Sequence, residues 1–392
     1  MFRKAIVLCL AVSAVSLYSQ AATSSAAALR QNALALEQQG SIAEAEQAWR
    51  AYSKSNPSNP EPYAHLGLLA AHQDRLTDAI GFYRKALAIN PHVPSLRLNL
   101  ALAYFKNAQF EEAIEQFTAL RKMLPPNSQE LERADILTGM SYYGMAKYAQ
   151  AVPFLQAAVN REKDNLQLLL ALSHSCLWSK QYQCVMDAYR QILTLNAESA
   201  EADMLAGEAL DEMKDSAGAT NMFRAAIKAE PNAPNVHFGL GYLLWTQKQY
   251  DEAAREFQAE IANDPRHAQA TLYLGDTFLQ MNRPADARPL LEHALDLQGD
   301  LWLAHLDLGI IESDAGNNDK ALAQLQAAEK LNPGEVNVHW RLGRLLRTMG
   351  RKDEANRELE KARGLNKAAD EELFRKMQTG APPKPEVDPV SK

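Results

Sequence analysis

The sequence has few cysteines, few glycines and prolines, and no excess of positive charge. Cysteine occurs 3 times in 392 residues, and glycine and proline occur 18 times each, which excludes a disulfide-dense scaffold and a collagenous chain. Basic residues number 41 and acidic residues 48, giving a net charge of -7. The basic surface expected of a nucleic-acid-binding protein is therefore missing. With 47% apolar residues, we expect an ordered globular chain that does not bind nucleic acid.

Motifs of common active sites are also missing. The sequence has no His-Glu-x-x-His, no Gly-x-Ser-x-Gly and no glycine-rich phosphate loop. The pair Gly239 and Gly241 imitates part of a dinucleotide fingerprint, but no predicted strand precedes it. His174 has no second metal ligand at helical spacing. We therefore expect a protein that is not an enzyme and needs neither cofactor nor metal, with a catalytic role of its own as the weaker alternative.

The amino end has the pattern of an export signal. Residues 1–4 carry two positive charges, and residues 5–17 are almost wholly apolar. This apolar run is shorter than the ~20 residues that a membrane-spanning helix needs, so an uncleaved anchor is the weaker alternative. Lipidation at Cys9 is disfavoured because the preceding Leu8 is large. We predict a cleaved signal peptide over residues 1–21, and a periplasmic or secreted mature chain with no integral membrane span.

A repeat of 34 residues organises the rest of the sequence. Residues 60–91 read PEPYAHLGLLAAHQDRLTDAIGFYRKALAINP, and residues 234–265 read PNVHFGLGYLLWTQKQYDEAAREFQAEIANDP. Both segments have Leu-Gly, a later Ala, an aromatic residue and a closing Pro at the same spacing. With one insertion of four residues near Pro126, ten repeats begin at Ala26, Pro60, Pro94, Glu132, Leu166, Ala200, Pro234, Ala268, Trp302 and Val336.

Two positions of the repeat are reserved for small residues. All ten residues at the eighth position are Gly, Ala or Ser, and nine of the ten at the twentieth are Ala, the exception being Val185. Glycine inside a helix costs about 0.5 to 1 kcal/mol relative to alanine, so its recurrence indicates a packing requirement. Two helices can cross closely only where neither carries a bulky side chain. Each repeat is therefore predicted to be a helical hairpin that buries its apolar face by stacking on its neighbours.

This pattern resembles the tetratricopeptide repeat family, whose repeats have a Leu-Gly pair on a first helix and an Ala and an aromatic residue on a second. The resemblance implies an all-α fold, a right-handed α-solenoid of stacked antiparallel helical hairpins. We expect ten repeats over residues 26–369, a capping helix over residues 370–379 and a disordered, proline-rich tail over residues 380–392.

The resemblance also implies that the first helices build a concave wall and that positions 2, 5, 9 and 12 contact ligands. At these positions the chain is mostly apolar, so we favour a groove for a partner protein or extended peptide over the alternative that these residues are core. The aromatic residues Phe238, Tyr242 and Trp245 fall on one stripe. The predicted groove residues are Leu98, Leu102, Phe105, Ile136, Met140, Tyr143, Leu170, His174, Leu177, Met204, Phe238, Tyr242, Trp245, Leu272, Trp340, Arg344 and Arg347.

In some members of the family, polar residues at positions 5 and 9 of the repeat hold the terminal carboxylate of a bound peptide. This chain has leucines there in several repeats, which disfavours that mechanism, whereas Trp340, Arg344 and Arg347 form a basic and aromatic patch in repeat ten. Cys176 and Cys184 lie on the two helices of repeat five and are either bridged or free thiols.

We expect a non-enzymatic protein-interaction scaffold of the bacterial cell envelope that acts in assembly, secretion or stabilisation of envelope proteins. The alternative is an accessory subunit that presents envelope polymers to an enzyme on another chain. The sequence leaves the oligomeric state open.

Overall fold

A computed structural model describes residues 26–126 and 128–379 of the chain. The described residues form 20 helices and no strand. Helix α1 covers residues 26–38. The others are α2 (Ile42–Ser55), α3 (Glu61–His72), α4 (Leu76–Ile89), α5 (Pro94–Lys106), α6 (Phe110–Arg121), α7 (Gln129–Gly144), α8 (Tyr148–Arg161), α9 (Leu166–Trp178), α10 (Tyr182–Leu195), α11 (Ala200–Glu212), α12 (Ser216–Ala229), α13 (Val236–Thr246), α14 (Tyr250–Asn263), α15 (Ala268–Gln280), α16 (Pro284–Leu297), α17 (Trp302–Asp314), α18 (Asn318–Leu331), α19 (Val336–Thr348) and α20 (Lys352–Thr379).

Consecutive helices pair into antiparallel hairpins, and within each of two units the hairpins stack in chain order. They divide into unit 1 (Met1–Leu195, with α1 to α10) and unit 2 (Asn196–Lys392, with α11 to α20). Within each unit, the second helix of one hairpin packs on the first helix of the next, and successive first helices also contact each other. First helices therefore form an inner layer in each unit, and second helices form an outer layer. Each unit is an all-α solenoid, as the sequence predicts.

The small residues of the repeat lie where the two helices of a hairpin cross. All ten residues at the twentieth position, from Ala45 to Ala355, have no exposed surface. At the eighth position, a Cβ added to Gly241 would lie 2.8 Å from a ring carbon of Phe257 on the second helix. A Cβ added to Gly343 would lie 2.7 Å from Cγ of Leu359 and 3.2 Å from the carbonyl oxygen of Ala355. The glycine thus makes room for the bulky residue at position 24 as well as for close backbone approach.

The last helix corrects one predicted boundary. Helix α20 runs for 28 residues without interruption, so residues 370–379 extend the second helix of repeat ten and are not a separate capping helix. The reason is local: between Gly364 and the end of α20, the sequence contains neither proline nor glycine to stop the helix.

The predicted signal peptide over residues 1–21 and the predicted tail over residues 380–392 lie outside the described residues. Among the helices that the structure describes, none combines the length and the apolar character needed to cross a bilayer.

Candidate partner-binding surface

The inner layer of unit 1 presents apolar side chains that keep part of their surface accessible. They come from α5, α7 and α9, three first helices that contact one another in succession. We call this set the unit 1 apolar face: Leu98, Leu102, Phe105, Ile136, Met140, Tyr143, Leu170 and His174, all half-buried. The structure thus brings eight of the predicted groove residues together on one side of unit 1.

One predicted residue of this region is core. Leu177 is buried, which contradicts its assignment to the accessible lining. Helix α9 carries apolar residues on nearly every side, and eight of its 13 residues are buried, so it does not present a complete accessible stripe.

An aromatic cluster that the sequence analysis missed adjoins the unit 1 apolar face. We define the unit 1 aromatic cluster as Tyr143, Tyr148, His174 and Trp178. The ring centroid of Tyr148 lies 5.4 Å from that of His174 and 6.1 Å from that of Trp178. Trp178 is 50% exposed, although it lies outside the four ligand-contact positions of the repeat. The sequence could have indicated that Trp178 belongs to this surface, because it lies one helical turn after the predicted groove residue His174.

His174 is a neutral side chain inside this cluster. The indole Nε1–H of Trp178 donates a hydrogen bond to Nε2 of His174 over 3.3 Å, which places the imidazole proton on Nδ1. Burial lowers the pKa of His174. Its Nδ1 is buried and has no hydrogen-bond partner among the described residues. His174 therefore acts as an aromatic packing residue at neutral pH.

The aromatic stripe predicted for unit 2 is only partly accessible. We define the unit 2 aromatic cluster as Phe238, Tyr242, Trp245 and Tyr273, whose rings contact one another at centroid distances between 5.1 and 6.2 Å. Tyr242 and Trp245 are half-buried, as is the predicted groove residue Met204. Phe238, in contrast, is only 8% exposed.

The core interpretation therefore holds for Phe238 and Leu272, and their assignment to an accessible lining is wrong. Both belong to the main core of unit 2, and Leu272 is 3% exposed. The next hairpin covers Phe238: its ring centroid lies 5.0 Å from that of His267 and 6.0 Å from that of Tyr273.

A buried pair of aspartates lies beside the unit 2 aromatic cluster. The carboxylate of Asp276 accepts hydrogen bonds from Nε1 of Trp245 at 2.5 Å and from Nε2 of Gln280 at 3.1 Å. The side chains of Asp276 and Asp307 also hydrogen-bond each other. Burial raises the pKa of both carboxyl groups, and the neighbouring charge of Asp276 raises the pKa of Asp307 further. Both carboxyl groups therefore favour the protonated form more than an exposed aspartate does.

Repeat ten presents the basic and aromatic patch that the sequence indicates. We define the repeat-ten patch as Trp340, Arg344 and Arg347 on α19. Trp340 is 41% exposed, and the guanidinium carbon of Arg344 lies 4.7 Å from its ring centroid. Both arginines are exposed. The patch is therefore accessible and carries positive charge.

Three histidines at position four of their repeats make the same contact. Nδ1 of His237, His305 and His339 lies 2.6, 2.6 and 2.8 Å from an oxygen of the residue 19 positions later in each case. These contacts join the first helix of a hairpin to the second. The recurrence supports a structural role for the histidines.

His339 also belongs to a group of possible metal ligands with Glu329 and Glu358. The Nζ of Lys361 lies 2.8 Å from a carboxylate oxygen of Glu329 and 3.0 Å from one of Glu358. A lysine thus already supplies the positive charge between the two carboxylates. The arrangement fits an ion-pair network that holds α18, α19 and α20 together.

Cys176 and Cys184 are joined by a disulfide with a Cα–Cα distance of 5.9 Å. The bond links α9 to α10 and resolves the choice that the sequence left open in favour of a bridge. Repeat five is also the repeat with Ser173 and Val185 at the two small positions, where most other repeats have glycine and alanine.

Two sequence models match the chain. The model described as "Surface lipoprotein assembly modifier, N-terminal TPR repeats" matches residues 62–117. The model described as "Tetratricopeptide repeat" matches residues 209–268, 244–301 and 306–371. The first match lies in unit 1, and the other three lie in unit 2.

Individual relatives are similar over part of their length. Anaphase-promoting complex subunit 3 of Schizosaccharomyces pombe is 19% identical over 287 residues, which cover 73% of this chain and 43% of that protein. Surface lipoprotein assembly modifier 1 of Neisseria meningitidis is 42% identical over 65 residues, covering 16% of this chain and 13% of that protein. The chain thus spans less than half the length of either relative.

The solved structure of a tetratricopeptide repeat protein from Parabacteroides merdae has a TM-score of 0.51 at 16% sequence identity, covering 64% of this chain and 98% of that one. This similarity concerns the fold. Together with the matching sequence models, the stacked hairpins and the buried small residues at the helix crossings, it shows that the chain belongs to the tetratricopeptide repeat family.

Proposed function

We propose that this protein is a non-enzymatic scaffold that binds a partner polypeptide on the unit 1 apolar face. Tetratricopeptide repeats are scaffolds for protein-protein interaction, and the chain has this architecture. The observation that carries the proposal is the half-burial of eight neighbouring apolar or aromatic side chains on three inner helices. Accessible apolar surface of this kind marks a site where another chain binds.

The shape and composition of the face fit an extended segment or an amphipathic helix. Parallel inner helices present side chains in successive rows, and a partner can place apolar side chains between them. The adjoining unit 1 aromatic cluster adds Tyr148 and the exposed Trp178. Aromatic residues dominate binding energy at many protein interfaces, so we expect these two to contribute strongly.

The proposed location is the bacterial cell envelope, with a periplasmic or secreted chain. Two observations support it: the export-signal pattern of residues 1–21, and the similarity of residues 62–117 to the repeats of surface lipoprotein assembly modifiers. The related Neisseria protein is named for surface lipoprotein assembly. We infer a role in assembly, secretion or stabilisation of envelope proteins, with the chemistry of any such process on other chains.

Site-specific photocrosslinking tests the proposal. A photoreactive phenylalanine analogue replaces Leu102 on the inner helix α5 or, as control, Glu115 on the outer helix α6 of the same hairpin. We expect illumination of intact host cells to give a discrete adduct from position 102 and none from position 115. Mass spectrometry then identifies the crosslinked chain, and fractionation shows whether the adduct is periplasmic.

Two outcomes would contradict the proposal. Equal adducts from both positions would show non-specific contact, and absence of an adduct at position 102 would show that the face is not occupied. An adduct confined to the cytoplasmic fraction would support the scaffold function and contradict the proposed location in the cell envelope.

A further inference from the structure

We propose that the repeat-ten patch is a second binding site, which takes the side-chain carboxylates of an acidic, extended polypeptide segment. This inference rests on the proposed function, because it assumes that the chain binds partner polypeptides. It adds the chemistry of a partner segment and a separate surface in unit 2 that receives it.

The charge of α19 is the first observation. Its sequence, VNVHWRLGRLLRT, contains three arginines and no acidic residue, in a chain whose net charge is -7. Among the described residues, Arg344 and Arg347 form no ion pair. Arg288 on α16 is neutralised, in contrast, because its Nη1 lies 2.5 Å from a carboxylate oxygen of Glu312 on α17. The positive charge of the patch therefore remains available to a partner.

The geometry of the arginines is the second observation. Arg344 and Arg347 are three residues apart on one helix, so their side chains leave the same face. The ring of Trp340 lies against the guanidinium of Arg344, with 4.7 Å between the guanidinium carbon and the ring centroid. Stacking on an aromatic ring orders the planar guanidinium, whose paired N–H donors match the two oxygens of a carboxylate. The patch thus favours carboxylates over neutral polar groups.

A cavity beside the patch is the third observation. It has a volume of about 410 Å³, and its lining is half apolar (Val336, Trp340, Leu359 and Ala362) and half polar (Glu335, Asn337, Arg363 and Asn366). Trp340 belongs to both the cavity and the patch. A segment that places a carboxylate on Arg344 can therefore place a neighbouring apolar side chain in the cavity against Val336, Leu359 and Ala362. The recognised chemistry is acidic residues next to an apolar one.

The test selects peptides without knowledge of the natural partner. A phage-displayed library of random peptides is selected on the full chain and on the double variant Arg344→Gln/Arg347→Gln. We expect peptides enriched in Asp and Glu beside an apolar residue from the wild-type chain, and loss of the acidic enrichment with the variant. The matched control is Arg224→Gln/Arg255→Gln, which removes the same charge from exposed positions on the outer helices α12 and α14.

A selected peptide then gives the affinity. Fluorescence anisotropy compares the peptide with its Gln-substituted counterpart. We expect the acidic peptide to bind wild type at least about tenfold more tightly, a difference of about 1.4 kcal/mol. The double variant should lose this preference, the outer-helix control should keep it, and added salt should weaken it. Unchanged thermal unfolding of the double variant confirms that the fold is intact.

Several results would overturn the inference. These are selection without acidic enrichment, no selected peptide at all, or equal binding of an acidic peptide to wild type and the double variant. Acidic peptides that bind only after deletion of residues 380–392 would show that the chain's own tail occupies the patch. Apolar peptides whose binding requires Leu102 and does not require Arg344 would overturn this inference and support the proposed function. The failure of one proposal is therefore distinguishable from the failure of the other.

Discussion

At the scale of single residues, the same position of the repeat has opposite roles in different hairpins. Phe238 and Trp340 both occupy position five, yet Phe238 is core and Trp340 is exposed. The next hairpin covers Phe238, whereas α19 is the last first helix among the described residues. The sequence could predict which residues face the inner layer. It could not predict which of them a neighbour covers, because that depends on the size of side chains one repeat away.

Truncating these two residues separates core from accessible surface. We expect Phe238→Ala to lower the free energy of unfolding by about 3 to 5 kcal/mol, because it leaves a cavity in the core of unit 2. Trp340→Ala should lower it by less than about 1 kcal/mol, since Trp340 is 41% exposed and lies outside the core. Urea unfolding followed by circular dichroism measures both. Equal losses would contradict the assignment.

The glycine at position eight gives a second prediction. Gly241→Ala should lower the free energy of unfolding by about 1 to 3 kcal/mol, because the new Cβ would meet the ring of Phe257 at 2.8 Å. The matched control is Gly364→Ala in α20, where no atom lies within 4 Å of the added Cβ. There alanine should stabilise by up to about 1 kcal/mol through helix propensity. A stabilising Gly241→Ala would show that the hairpin crossing is loose.

The buried aspartates make stability depend on pH. The pKa of Asp307 is raised in the folded state, so folding favours the protonated form, and this stabilising contribution is lost as pH rises through the folded pKa. Asp307→Asn keeps a donor for Asp276 without a titrating proton. We expect it to raise the free energy of unfolding by about 1 to 3 kcal/mol near pH 7, with a gain that shrinks toward pH 4.

Urea titrations across this pH range measure the effect. The exposed Asp296→Asn in α16 is the control and should change stability little at any pH. A pH-independent difference between wild type and Asp307→Asn would show that the pair does not hold a proton.

At the scale of helices, much of the fold could be predicted from the sequence. Six first helices begin at the predicted repeat starts Pro94, Leu166, Ala200, Ala268, Trp302 and Val336. Two deviations have local causes. Ser128 accepts a hydrogen bond from the backbone N–H of Leu131, so α7 begins earlier than predicted and takes up part of the insertion. Helix α20 continues to Thr379 because neither proline nor glycine occurs between Gly364 and that residue.

The disulfide acts at the scale of one hairpin. Removing it with Cys184→Ser should lower the free energy of unfolding by about 2 to 3 kcal/mol under oxidising conditions, as expected for the short loop that it closes. With dithiothreitol, wild type and variant should differ little. Non-reducing peptide mass mapping should find the two cysteines in a linked pair of peptides. Separate peptides with free thiols would contradict the bridge.

At the scale of the whole molecule, the fold and the candidate sites differ in how far they could be predicted. The fold follows from one local pattern, small residues at positions eight and twenty. This pattern occurs in all ten repeats, so each repeat predicts its own hairpin. The sites depend on which apolar residues stay uncovered and on contacts between residues from different hairpins. The pair of Asp276 and Asp307 was missed for this reason, since the two residues come from different repeats and no single repeat reveals their contact.

Each hairpin carries its own helix crossing, with the glycine or other small residue and the side chain it accommodates both inside one repeat. A gene rearrangement that duplicates or deletes one whole repeat would leave every such crossing intact and change only the contacts between hairpins at the point of rearrangement. The number of repeats is therefore the property that packing constrains least. An array that is lengthened or shortened in this way keeps the internal packing of each hairpin, while the accessible face grows or shrinks by one row of side chains.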